Sequence, residues 1–171
     1  MRFMWRAIRP DSISVWSNEQ VLTRLKRYYA VLKDEKPAKM LVARKVEIED
    51  DLNVPTDKLW HQHQRASGKF RSLLKEVDQG KINLKDLDTP KTSYLDLKLE
   101  LARRILASCH FCERRCGVNR LEGKHGACQL NAKAYVSSAF LHFGEEAPLV
   151  PSGTNARVSL WRCNLLQHVH V

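Results

Sequence analysis

The chain has 171 residues, 43% of them hydrophobic, enough for one ordinary domain or two small ones with a buried core. It holds no run of about 18 apolar residues, so no membrane span is expected. Its basic, apolar opening lacks the unbroken apolar core and small-residue cleavage site of a secretory signal, which makes the cytoplasm the expected compartment. The formal charge of +10 is diffuse, net +7 over residues 1–107 and net +3 over residues 108–171, with no block of five like charges. Such a spread describes a basic protein and does not by itself specify a nucleic-acid partner.

Residues 1–16 read as an extended or irregular lead-in. Ser17 or Asn18 can cap a helix whose apolar positions Val21, Leu22, Leu25, Tyr28, Tyr29 and Leu32 recur at helical spacing, with Lys36-Pro37 ending it. From Met40 to Ile48 the alternation fits either a strand or a short helix. Asn53-Val54-Pro55-Thr56-Asp57 is a turn and a helix start, and the stretch from there to about Gly68 is expected to be helical. A further helix is expected around Phe70, Leu73, Leu74 and Val77, ending at Gly80. Residues 81–92 form a polar connector. Ser93 then caps a clear helix, with Leu95, Leu99, Ala102 and Leu106 as one stripe and Tyr94, Leu97, Leu101 and Ile105 widening it. Ala134 to Phe143 reads as a strand buried on both faces.

Some chemistry-bearing residues have plain readings. His61 and His63 lie two apart on an expected helix and do not share a face, so they are not a metal pair. Tyr28 and Tyr29 read as packing residues with polar tips. Glu145 and Glu146 read as solvated loop acids. The cysteines differ. Four of the five fall within twenty residues as Cys109-x2-Cys112-x3-Cys116-x11-Cys128, and Cys163 stands apart. A Cys-x2-Cys pair can close on one metal across a tight turn, a third thiol can complete that face, and Cys128 returns as the fourth ligand. Gly117 and Gly126 sit where turns with positive φ would be needed. Four thiolates suit zinc or an iron–sulfur cluster, and the spacing fits both. Arg114, Arg115, Arg120, Lys124 and His125 surround the site and would favour thiolates, or would simply be solvated surface.

The segment Cys109-His-Phe-Cys112-Glu-Arg-Arg-Cys116-Gly-Val-Asn-Arg120-Leu-Glu-Gly123-Lys-His-Gly126-Ala-Cys128 resembles a family of radical SAM proteins related to the pyruvate formate-lyase activating enzyme. Its members typically read Cys-x2-Cys-x-Arg-x-Cys-Gly-Val-x-Arg-x2-Gly-x2-Gly-x-Cys here. Val136 to Pro148 and Val150-Pro151-Ser152-Gly153-Thr154 also resemble that family, and Trp5-Arg6-Ala7-Ile8-Arg9-Pro10 is similar to an archaeal-type variant. The resemblance implies a partial (β/α) barrel. It also implies a catalytic [4Fe-4S] cluster on a Cys-x3-Cys-x2-Cys motif, which binds S-adenosylmethionine and cleaves it reductively to a radical that often acts on a partner protein. In that family the four cysteines form an accessory site.

The sequence departs from the family at the catalytic motif. Cys163-Asn164-Leu165 resembles the first cluster cysteine and its neighbours, but Gln167 and His170 stand where the other two cysteines belong. A truncated or frameshifted N-terminal part is the expectation; the competing reading is a short divergent protein with Cys163, His168 and His170 as altered ligands. The fold class expected is α+β and incomplete, with a helical N-terminal region, a cysteine-stapled metal-binding loop and the first strands of a partial (β/α) radical SAM barrel. The expected segments are 1–92, basic and mainly helical; 93–133, a helix plus the four-cysteine segment; and 134–171, a truncated barrel start with a divergent tail.

The function expected is a zinc- or iron–sulfur-binding protein resembling a radical SAM enzyme and inactive as this chain alone. The [4Fe-4S] cluster with S-adenosylmethionine is implied by the resemblance only. The metal ligands expected are Cys109, Cys112, Cys116 and Cys128, with Cys163 as a remnant of the catalytic motif, and no catalytic residue is assigned. A protein substrate or a missing C-terminal part is the expected partner, with no membrane. The alternative is a small basic zinc module contacting nucleic acid, although Phe111 is the only aromatic residue between Cys109 and Cys128, too few for a base-stacking platform.

Overall fold

The computed structural model describes residues 9–49, 51–142, 146–149 and 155–160. They fall into two units: residues 9–35 with the described part of 134–160, and residues 36–133.

In the first unit the chain is helical earlier than the sequence suggests. Helix α1 spans Asp11–Ser14, and a 3-10 turn follows over Val15–Ser17. The start is local chemistry: Ser12 donates to the Arg9 carbonyl from its amide (3.2 Å) and from its hydroxyl (2.9 Å), while Arg9 pairs with Asp11 at 2.7 Å. Single turns of this kind leave no long periodicity to read. Asn18 then caps α2 (Glu19–Arg24), its side-chain oxygen accepting from the amides of Gln20 (2.9 Å) and Val21 (3.3 Å). The helix breaks at Leu25 and resumes as α3 (Lys26–Leu32). Trp16 packs on Tyr29 with ring centroids 4.4 Å apart and stacks on Tyr28 at 6.2 Å. The Tyr28 hydroxyl donates to the Pro148 carbonyl at 3.2 Å, so Tyr28 combines a packing ring with a polar tip.

The second unit is built on two long helices. A short helix α4 (Lys39–Ala43) resolves the ambiguous stretch in favour of helix, and Glu47 beyond it makes an isolated antiparallel bridge with Ser93. Helix α5 runs unbroken over Thr56–Asp78, where the sequence suggests two helices divided near Gly68. An interior glycine costs about 1 kcal/mol relative to alanine. Against it stands a continuous buried stripe: Leu59, Gln62, Ala66 and Val77 are buried, and Phe70 and Leu73 are partly buried against the core. Helix α6 (Tyr94–Ala107) packs on α5. Ser93 and Asp96 form a capping box at its start. Its buried face is Tyr94, Leu97 and Leu101, whereas Leu99 of the other expected stripe is 61% exposed.

Leu59 and Leu97 are wholly buried, each worth about 1.5–3 kcal/mol by transfer from water. Ala43, Val46, Ile48, Ala66, Tyr94 and Leu101 complete the core. Arg104 on α6 donates to the carbonyls of Leu52 (2.7 Å) and Val54 (2.6 Å) and to Glu100 (2.8 Å), tying the loop before α5 to α6.

The expected α+β fold with the first strands of a barrel is overturned. The packed body is all-α. The regular β-structure among the described residues is one two-stranded ribbon, β1 (Val136–His142) paired antiparallel with β2 (Asn155–Leu160). A (β/α) barrel starts from parallel neighbours joined by a helical crossover, and antiparallel pairing of successive strands is a different topology. Cys163, Gln167, His168 and His170 lie outside the described residues, as do Glu145, Val150 to Thr154 and Trp5 to Ile8.

Candidate metal centre

Helix α6 ends at Ala107 and delivers the chain through Ser108 to Cys109, which is 2% exposed. The next twenty residues have no regular secondary structure; backbone hydrogen bonds and turns shape them. Cys109 and the Cys116-Gly117-Val118 stretch face each other through two bonds, Cys109 amide to Val118 carbonyl (3.0 Å) and Gly117 amide to Cys109 carbonyl (2.9 Å). Between them the Arg115 amide donates to the Cys112 carbonyl at 3.0 Å, closing the turn that carries Cys112. Gly117 has φ +66°, a left-handed conformation that glycine adopts at least cost. A second turn brings back the fourth cysteine: the Gln129 amide donates to the Gly126 carbonyl at 2.8 Å, and the Gly126 amide to the Leu130 carbonyl at 3.1 Å.

Arg120 joins these turns. Its amide donates to the Leu106 carbonyl at the end of α6 (2.9 Å), and its carbonyl accepts from Gly123 (3.1 Å) and Ala132 (3.2 Å). Its side chain, 6% exposed, points inward. Nε donates to Cys109 Sγ at 2.8 Å, and Nη2 donates to Cys128 Sγ at 3.2 Å and to Cys116 Sγ at 3.7 Å. Nη1 donates to the Leu130 carbonyl. Desolvation opposes the buried charge, but the hydrogen bonds to Cys109 and Cys128 and their attraction outweigh it and raise the guanidinium pKa.

The structure therefore brings together Cys109, Cys116 and Cys128 and places Cys112 in the adjoining turn, outside the hydrogen-bond set of Arg120. Cys116 is further tuned. Amides of Ala127 and Val118 donate to it, and Cys109 and the Arg120 charge add to them; together they outweigh desolvation and hold its thiol below the usual range. Amide-to-sulfur bonds of this kind stabilise thiolates and recur around thiolate-bound metals. Among the described residues, no group of three or more His, Cys, Asp or Glu side chains has a metal-holding arrangement. The Arg120 guanidinium borders three of the four sulfurs along its Nε and Nη2 edge. By donor chemistry the loop offers four thiols, three of them gathered at one guanidinium, and thiols are the donors that zinc and iron–sulfur clusters take.

Gly126 meets its expected importance for a different reason. Its φ is not positive; a Cβ there would collide with the Arg120 guanidinium and approach Cys116 Sγ to 2.8 Å. The other basic neighbours, Arg114, Arg115, Lys124 and His125, are exposed, and Lys124 pairs with Glu122 at 3.2 Å. The special role of Arg120 among these five is absent from composition and spacing. The radical SAM pattern that the segment resembles has an arginine at both 114 and 120, so it does not single Arg120 out either. His63 Nε2 lies 3.0 Å from the Tyr94 hydroxyl and 3.1 Å from Lys98 Nζ.

No protein-family description matches the chain, and no solved structure matches it. It is 43% identical over 131 residues to the uncharacterized protein MJ0674 of Methanocaldococcus jannaschii. That match covers 77% of the chain and 36% of the relative, so the chain spans about a third of the length of the curated relative it matches. Among the described residues, no helix is long and apolar enough to cross a membrane.

Proposed function

We propose that this chain binds one thiophilic metal centre, zinc or an iron–sulfur cluster, through Cys109, Cys112, Cys116 and Cys128. The observation that carries the reading is the convergence of three of these sulfurs on a single buried cation in a loop whose amides also face sulfur. Four thiolates complete a tetrahedral shell and leave no position for a substrate, so the centre serves to staple the loop or to carry electrons rather than to activate water. Within the resemblance to radical SAM proteins, it is the accessory site of a longer enzyme. Reductive cleavage of S-adenosylmethionine would belong to a separate three-cysteine motif, which this chain does not supply because Gln167 and His170 follow Cys163.

Metal, iron and sulfide analysis of the anaerobically purified chain tests the reading. It predicts one zinc or one cluster per chain, lost in Cys109→Ser and in Cys128→Ser. A metal-free wild-type chain with freely titratable thiols would refute it.

A further inference from the structure

We propose that Arg120 is a positioning residue of this centre, donating hydrogen bonds to the sulfurs of Cys109, Cys116 and Cys128 and neutralising part of the charge that four thiolates leave on it. The inference rests on the metal reading above and goes beyond it by giving a role to a residue that is not a ligand. Zinc or a [4Fe-4S] cluster with four thiolates retains net negative charge. With Cys109 buried and Cys112, Cys116 and Cys128 half-buried, a centre of that kind is costly unless a cation and hydrogen bonds offset it.

Arg120 offers both. Its planar fork reaches Cys109 through Nε (2.8 Å) and Cys116 and Cys128 through Nη2 (3.7 and 3.2 Å). A lysine ammonium is a point charge on a flexible stem and would not reproduce that span. A thiolate sulfur ligates with one lone pair and accepts an N–H with another, so the same sulfurs can serve the metal and the guanidinium. Arg120 is also fixed in place: its amide is bound to Leu106 and its carbonyl to Gly123 and Ala132, while Nη1 is bound to Leu130. The exposed Arg114, Arg115, Lys124 and His125 have no comparable anchorage in the loop interior. Gly126 supplies the remaining space, since any side chain there would strike the guanidinium.

The test uses the 171-residue chain, reduced and handled anaerobically, as wild type, Arg120→Gln and Arg120→Lys. Zinc affinity is read by competition with a chromophoric chelator. Thiolate-to-metal charge-transfer bands are read after loading with Co2+, and helix content by far-ultraviolet circular dichroism. Arg120→Gln is expected to keep its helical signal, to bind zinc about 10–100-fold more weakly, and to shift the Co2+ bands. Arg120→Lys should recover only part of the affinity. Unchanged or tighter zinc binding with unchanged bands in Arg120→Gln would overturn the proposal, as would full recovery in Arg120→Lys. Loss of the helical signal in both variants would assign Arg120 to folding alone and overturn it too. A wild-type chain that takes up neither metal would refute the metal reading itself, an outcome distinct from wild-type binding that ignores Arg120.

Discussion

Gly126 shows how tightly the cysteine loop is built. A methyl group at that position meets Cys116 Sγ at 2.8 Å and collides with the Arg120 guanidinium, so both neighbours must shift. Gly126→Ala is therefore expected to destabilise the chain by about 1–3 kcal/mol, the usual cost of overpacking, and to weaken zinc binding alongside. Urea unfolding combined with zinc competition checks this; wild-type values in both would mean the loop adjusts freely. The sequence made the four thiols legible because Cys-x2-Cys and its companions occur at ligand spacing. It marked Gly126 as important but suggested left-handed backbone, where the reason is close approach. Arg120 was indistinguishable from Arg114 and Arg115, because its burial depends on carbonyls at Leu106 and Leu130 that only the folded loop brings to it.

Helix α6 carries the loop, and its start is secured by a local device. The Ser93 hydroxyl and amide donate to Asp96 Oδ2 at 2.6 and 2.8 Å, and the Asp96 amide donates back to Ser93 Oγ at 3.3 Å. Ser93→Ala should cost about 1 kcal/mol, seen as a lower urea midpoint with an unchanged slope. An unaltered midpoint would show that the bridge between Glu47 and Ser93 holds the helix start unaided. The contact between α5 and α6 should also respond to pH. Burial first, then the Lys98 charge, holds His63 below its ordinary value. The folded chain thus prefers neutral imidazole, and the unfolded chain takes up the proton first as pH falls below about 6.5. The His63 contribution is complete above that value and is lost as pH falls through and below it. The urea midpoint should drop between about pH 7.5 and pH 5.5, and less so in His63→Gln; equal drops would remove His63 as the cause. The Ser93 cap was legible before an apolar run, while its reciprocal partner Asp96 emerged only in the structure. The choice between the Tyr94–Leu97–Leu101 and Leu95–Leu99 stripes was not, because apolar residues surround the helix and only its packing on α5 decides between them.

Across the whole molecule, apolar residues on both faces of Ala134 to Phe143 marked a strand, found as Val136–His142, but could not name its partner. Pairing direction depends on where the next strand arrives, and here Asn155–Leu160 returns antiparallel, which removes the barrel start from the fold. The single helix Thr56–Asp78 hid behind Gly68 for a related reason: tertiary burial of Leu59, Ala66 and Val77 overrides a local weakness. What remains is a helical body that ends in a thiol-rich loop. Metal that binds this folded loop and not the unfolded chain should stabilise the whole, by about 2.7 kcal/mol at a free concentration one hundred times Kd. If four cysteine sulfurs surround one metal centre, X-ray absorption at the metal edge of the loaded chain will show four sulfur neighbours, with one lost in Cys112→Ser, whose thiol lies outside the Arg120 cluster. A shell dominated by nitrogen or oxygen, or one unchanged by Cys112→Ser, would contradict that arrangement.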